Sequence, residues 1–141
     1  GGPSANSLLN VEVRERRGLT YNIEAGYTPY SDTGVVTIYF SSDHHNADLC
    51  RELIDKELQR LRTTPPTARQ MAMIKRQFLA QMAISMENNE GYMLGAGKSY
   101  LVHDEIDTLE EVYRKVAAVK AEQIAEVADE IFSRTSTLIY Q

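Results

Sequence analysis

The chain has 141 residues, 43% hydrophobic and 25% charged, with a formal net charge of −5 at pH 7. That composition suits one compact domain with a hydrophobic core and excludes wholesale disorder. The densest basic cluster is Arg14, Arg16 and Arg17, too short to track a phosphate backbone, so no nucleic acid is expected as a partner. No apolar run approaches the ~18 residues of a membrane span. The opening Gly1-Gly2-Pro3-Ser4 carries no Met and no signal-peptide layout, which reads as a piece cut from a longer chain.

A first helix is predicted from Ser4 or Asn6 to Arg17. Ala5, Leu8, Leu9 and Val13 fall on one stripe, Ser4 or Asn6 can cap the start, and Gly18 can end it in a positive-φ conformation. Two strands follow, over 20–27 and 35–41. The first alternates Tyr21, Ile23, Ala25 and Tyr27 with polar residues, and the second is rich in β-branched and aromatic side chains. Pro29, Ser31, Asp32 and Gly34 supply the turn of an antiparallel hairpin.

The rest reads as mostly helical. Leu49, Leu53, Ile54, Leu58 and Leu61 give one apolar face over 46–62. The single cysteine, Cys50, lies in that pattern as a buried thiol. Thr67 with Gln70, and Thr108 with Glu111, have capping-box spacing and should each open a helix. Met71, Ile74, Phe78, Met82 and Met86 should line the first of these, the methionines acting as adaptable packing. A shorter helix is predicted over 92–101 and a last one around Ile124, Val127, Ala128 and Ile131. Residues 136–140 read as a final strand. The fold class is therefore α+β, an antiparallel sheet packed against several helices. Three strands are few for so many amphipathic helices, so N-terminal strands are expected to be missing.

Little of the chain has the pattern of catalytic chemistry. His44-His45 and His103 lack the three- or four-residue ligand spacing of helical zinc motifs and read as loop histidines. No phosphate-binding glycine loop or nucleophile elbow occurs, and Gly95-Ala96-Gly97 lies within a helical pattern. The segment Val13-Arg14-Glu15-Arg16-Arg17-Gly18-Leu19-Thr20-Tyr21 is different. A helix ends, turns at a glycine and delivers a tyrosine to a strand. The reversal could bring the Arg14 guanidinium near the Tyr21 phenol. A phenol can donate to a developing oxyanion, and a guanidinium can hold a carbonyl or carboxylate. On the residues alone, Arg14 also serves as a surface partner of the helix dipole and Tyr21 as a packing residue.

This segment, together with Gly1-Gly2 and Asn6-Ser7-x-Leu9, resembles the signature of the C-terminal, non-zinc half of insulinase-like (pitrilysin, inverzincin) metallopeptidases. There a Gly-Gly loop enters a helix ending in Val-Arg-Glu-Lys-x-Gly-Leu-Ala-Tyr, followed by a strand, an Asp-x-Gly turn and a second strand. Asp32-Thr33-Gly34 and residues 35–40 match the turn and the second strand. The resemblance implies that residues 1–141 are a single partial domain, half of a clamshell around a peptide substrate. The zinc motif His-x-x-Glu-His would lie in another half, in cis or in trans. It further implies that Arg14 binds substrate and that Tyr21 binds substrate and acts catalytically; the two are seven residues apart, as in the family.

No metal ligand is expected in this chain, so alone it should neither hold zinc nor hydrolyse peptides. Two features depart from or qualify the pattern. Asn10 stands where the family has an aromatic or aliphatic residue. Gly1-Gly2-Pro3 is also similar to the glycine-rich loop of the non-catalytic processing-peptidase subunit, although that subunit usually lacks an equivalent of Arg14. A non-catalytic partner or respiratory-core-like subunit of the same fold is thus an alternative, as is an unrelated α+β protein-binding module. Unpaired sheet edges point to a homodimer. The compartment is open; for a bacterial protein it would be cytoplasmic or periplasmic.

Overall fold

The computed structural model describes Gly2 and residues 6–140. The described chain folds as two compact units, one running to Thr64 and resuming at Ala125, the other spanning Pro65–Ile124.

The first unit opens on a helical turn at Leu8 and Leu9 that widens into a π-helical segment, Asn10–Glu15. Of the two predicted starts, Ser4 lies outside the described residues and Asn6 is a turn residue ahead of the helix. The helix ends at Glu15, two residues before the predicted Arg17, with Arg16 and Arg17 in a turn; Gly18 has the predicted positive φ, +62°, which a residue without Cβ adopts at little cost. Its N–H donates to the Arg14 carbonyl (2.8 Å), and the Leu19 N–H donates to Val13 (3.1 Å). These bonds satisfy carbonyls the helix would otherwise leave open.

The chain then enters β1 (Asn22–Pro29), which pairs antiparallel with β2 (Gly34–Ser41), Asn22 facing Ser41 and Pro29 facing Gly34. The Tyr30 N–H closes the loop on the Thr33 carbonyl (2.9 Å). The exposed Tyr27 ring covers Gly34, and a Cβ there would lie 2.6 Å from it and displace the ring. A short 3₁₀ turn, His44–Asn46, leads into α1 (Ala47–Thr63).

The core of this unit is Leu9, Val13, Ile23, Cys50, Ile54 and Leu58, with Leu19, Ala25, Ile38, Leu53, Phe40 and Phe132 packed against it. Alternation explains the hairpin's share: Ile23 and Ala25 on β1 and Ile38 and Phe40 on β2 occupy one face. Cys50 is fully buried, as its position in the apolar stripe implied, and burial pushes its thiol pKa up.

The second unit contains α2 (Ala68–Met86), α3 (Asn89–His103) and α4 (Leu109–Ala118). Both predicted capping boxes form, at Thr67 with Gln70 and at Thr108 with Glu111. Glu111's carboxyl is held below its ordinary range by the hydrogen bonds from Thr108, first of all its backbone N–H. Of the predicted lining of α2, Met71 is buried and Met82 and Met86 are half-buried, whereas Ile74 and Phe78 remain exposed. Helix α3 is longer than predicted at both ends and buries none of its described residues. No other group comes within contact of a Cβ placed at Gly95 or Gly97.

Helix α5 (Ala121–Phe132) follows, and from Ala125 onward it belongs to the first unit. There Arg62 of α1 pairs with Asp129 (2.8 Å). The strand predicted over 136–140 is not formed. Among the described residues the sheet contains β1 and β2 only, and Leu138 and Tyr140 are almost fully exposed. A β-rich segment becomes a strand only when an edge accepts its backbone, and neither hairpin edge does so here. The α+β class with an antiparallel sheet and several helices stands.

Candidate functional site around the Gly18 turn

Val13 is fully buried, and the rotation of the helix turns the next residue outward, so half of the Arg14 side chain is exposed. Its Nε lies 3.8 Å from a carboxylate oxygen of Glu15. Behind it, Glu12 receives both Arg16 and Arg17, and Arg17 also donates to the Glu12 carbonyl. The hydrogen bond from Arg17 is the main reason the Glu12 carboxyl lies below its ordinary range. Arg16 and Arg17 thus tie the helix end together, and Arg14 is the arginine of the cluster turned away from Glu12.

Tyr21 stands one residue before β1. Its N–H donates to the Ser41 carbonyl (2.8 Å), which extends the hairpin ladder by one bond. The buried Thr20 hydroxyl lies within hydrogen-bond distance of the carbonyls of Ser41 (2.7 Å) and Asn22 (2.6 Å), which share its one proton. The backbone at Tyr21 is therefore fixed while its side chain is 69% exposed, which leaves the phenol accessible. The phenol donates to Asp43 Oδ1 at 2.8 Å. This hydrogen bond, then the Asp43 charge, raise the Tyr21 pKa above its ordinary value of 10.0. The phenol is therefore a proton donor throughout the neutral range.

The hydrogen bonds of the described residues do not join Arg14 to Tyr21; each is engaged by a different carboxylate. Asp43 was not legible as part of this site. It lies 22 residues beyond Tyr21 in sequence, and only the strand pairing brings the two together. Asn10, the departure from the family pattern, is buried and its Oδ1 accepts no hydrogen bond among the described residues.

A family profile described as "Peptidase M16 inactive domain" matches residues 1–78, more than half of the chain. The chain belongs to that family.

This M16 domain is 28% identical over 137 residues to an uncharacterized zinc protease of Bacillus subtilis, covering 97% of the chain and 34% of the relative. Among solved structures it is similar to a chain of complex III2 from Candida albicans, with TM-score 0.78 and 20% identity, covering 92% of this chain and 31% of that one. That likeness concerns the fold alone. It is also similar to a peptidase M16 inactive domain from Pseudomonas fluorescens, with TM-score 0.67 and 25% identity, over 93% of this chain and 31% of that one. The chain spans about a third of the length of the curated relatives it matches.

Among the described residues, no group of three or more His, Cys, Asp and Glu side chains could hold a metal ion. His44-His45 and His103 therefore do not fit a zinc centre within this domain, and no step through zinc is assigned to its own residues. No described helix is long and apolar enough to cross a membrane.

Proposed function

We propose that this M16 domain is the substrate-side part of a zinc metalloendopeptidase, working with a separate half that carries the metal and its ligands, in cis or in trans. On this reading residues 1–141 are one partial domain. Zinc in the other half would supply the Lewis acid for peptide hydrolysis. The exposed phenol of Tyr21 donates to the oxyanion that develops on the scissile carbonyl. The exposed guanidinium of Arg14 holds a carbonyl or carboxylate of the peptide. The observation that carries the reading is the pair of exposed donors on the two sides of a fixed turn, Arg14 before Gly18 and Tyr21 after it, in a chain of this family.

Tyr21→Phe and Arg14→Ala in the assembled peptidase test this reading. Arg14→Ala removes a charged contact to substrate and is expected to raise KM about 10-fold, the scale of one charge-assisted hydrogen bond. Metal content should stay the same, because Arg14 belongs to the substrate side. An unaltered KM in a folded Arg14→Ala protein returns this arginine to a surface role.

A non-catalytic partner subunit is the second reading, and it is favoured by one contact: the Tyr21 phenol already donates to Asp43. Unaltered kinetics in Tyr21→Phe would select it. Either reading accommodates self-association, because the outer edges of β1 and β2 have no strand partner among the described residues. Pairing with a second copy through one of these edges forms a homodimer. Light scattering over a concentration series should then report twice the chain mass, and a constant single-chain mass would exclude the pairing.

A further inference from the structure

We propose that Asp43 is a resting-state latch on Tyr21, an acceptor that the phenol must leave before it can serve a substrate. The inference rests on the catalytic reading of Tyr21 and adds a restraint to it. Its basis is geometric. A phenol has one proton to donate, and here that proton is directed at Asp43 Oδ1, 2.8 Å away.

The pairing is set by the backbone. Asn22 faces Ser41 in the hairpin register, and the Tyr21 N–H is bound to the Ser41 carbonyl. Asp43 follows Ser41 by two residues and opens the 3₁₀ turn, its carbonyl accepting from the Asn46 N–H (2.9 Å). The Asp43 carbonyl also accepts from the Ser42 hydroxyl (3.2 Å). Both ends of the contact are therefore held by main-chain bonds, and the two side chains meet at the mouth of the hairpin.

Two effects follow, and they have the same sign. While Tyr21 donates to Asp43, its proton is not available to a substrate oxygen. When Tyr21 does turn to an oxyanion, the Asp43 carboxylate remains close by, and its negative charge opposes the charge forming on the substrate. The pair is exposed, so solvent screens both effects. Each is worth only a few-fold, and together they hold turnover back by about 3- to 10-fold. Asp43 is thus a positioning residue that acts through Tyr21 without touching substrate.

Asp43→Asn and Asp43→Ala test the latch at two levels. The first is the phenol itself, followed by ultraviolet titration of this chain and resolved from the other tyrosines by difference against Tyr21→Phe. The Tyr21 midpoint is raised by Asp43 in the native chain and should fall towards the ordinary tyrosine value in Asp43→Ala, with a smaller fall in Asp43→Asn, which loses the charge and keeps an acceptor oxygen. The second level is peptide turnover by the assembled peptidase, which should rise about 3- to 10-fold in Asp43→Ala, rise less in Asp43→Asn, whose amide oxygen still accepts from the phenol, and show no such rise when Tyr21 is already Phe.

An unmoved Tyr21 titration, or slower turnover, in a folded Asp43→Ala protein overturns the latch. Slowed turnover in Tyr21→Phe together with unchanged turnover in Asp43→Ala removes the latch alone. Wild-type turnover in Tyr21→Phe removes the catalytic reading and the latch with it.

Discussion

Replacing Tyr21 by Phe in the assembled peptidase is expected to slow turnover about 100- to 1,000-fold, the usual loss on removing one donor to a developing oxyanion. Phenylalanine keeps the ring and removes only the hydroxyl. The Thr20 hydroxyl and the Tyr21 main-chain bond that fix this position do not involve the phenol, so the fold should not respond. The phenol's exposed hydrogen bond to Asp43 contributes little to stability. Metal content should be unchanged, and the loss should fall on kcat more than on KM, because the interaction strengthens only as charge develops. Steady-state kinetics with metal analysis on the same sample checks this. A loss confined to KM would make Tyr21 a binding residue only.

The largest expected effect on stability belongs to Ile23→Ala. Ile23 is 3% exposed and is the β1 side chain that enters the core beside Leu9, Val13, Cys50, Ile54 and Leu58. Removing its outer carbons takes away buried apolar surface and leaves a cavity, at a cost of about 2–5 kcal/mol. Small domains are stable by only about 5–15 kcal/mol, so much of the first unit's stability depends on this contact. Ile23 lies two residues from Tyr21, and its loss should also loosen the hairpin mouth. Chemical denaturation followed by far-ultraviolet circular dichroism should show the midpoint falling. A shift of less than about 0.5 kcal/mol, the scale of surface substitutions, would mean that Ile23 does not anchor the hairpin.

The parts of the fold that were legible in the sequence are those decided locally. The capping boxes at Thr67 and Thr108 depend on residues three apart, and both form. Gly18 announces its own backbone conformation. The hairpin follows from alternation on two adjacent segments and a turn between them.

What was not legible depends on partners distant in sequence. Residues 136–140 have strand composition, but a strand also needs an edge to pair with, and composition does not report one. The spacing of Ile74 and Phe78 locates a helix face without saying whether anything covers it, and both are exposed. The widening of the first helix into a π-helical segment left no trace in the apolar stripe of Leu9 and Val13. At the site, local sequence located Arg14 and Tyr21 around the turn, whereas Asp43 entered only through tertiary pairing. The side-chain partner of an exposed Arg or Tyr is whichever carboxylate the fold brings within reach, and no sequence period encodes that.

The most direct test of the central claim is a complementation assay, in which peptide cleavage by a zinc-bearing M16 half is measured as this chain is added in increasing amounts. The substrate-side reading predicts no cleavage by the chain alone and activity that rises to saturation as the two halves combine. With the Tyr21→Phe chain, saturation should be reached at the same concentration but at a rate about 100- to 1,000-fold lower. Chelator-sensitive cleavage by this chain alone, or equal saturating rates with the native and Tyr21→Phe chains, would contradict it.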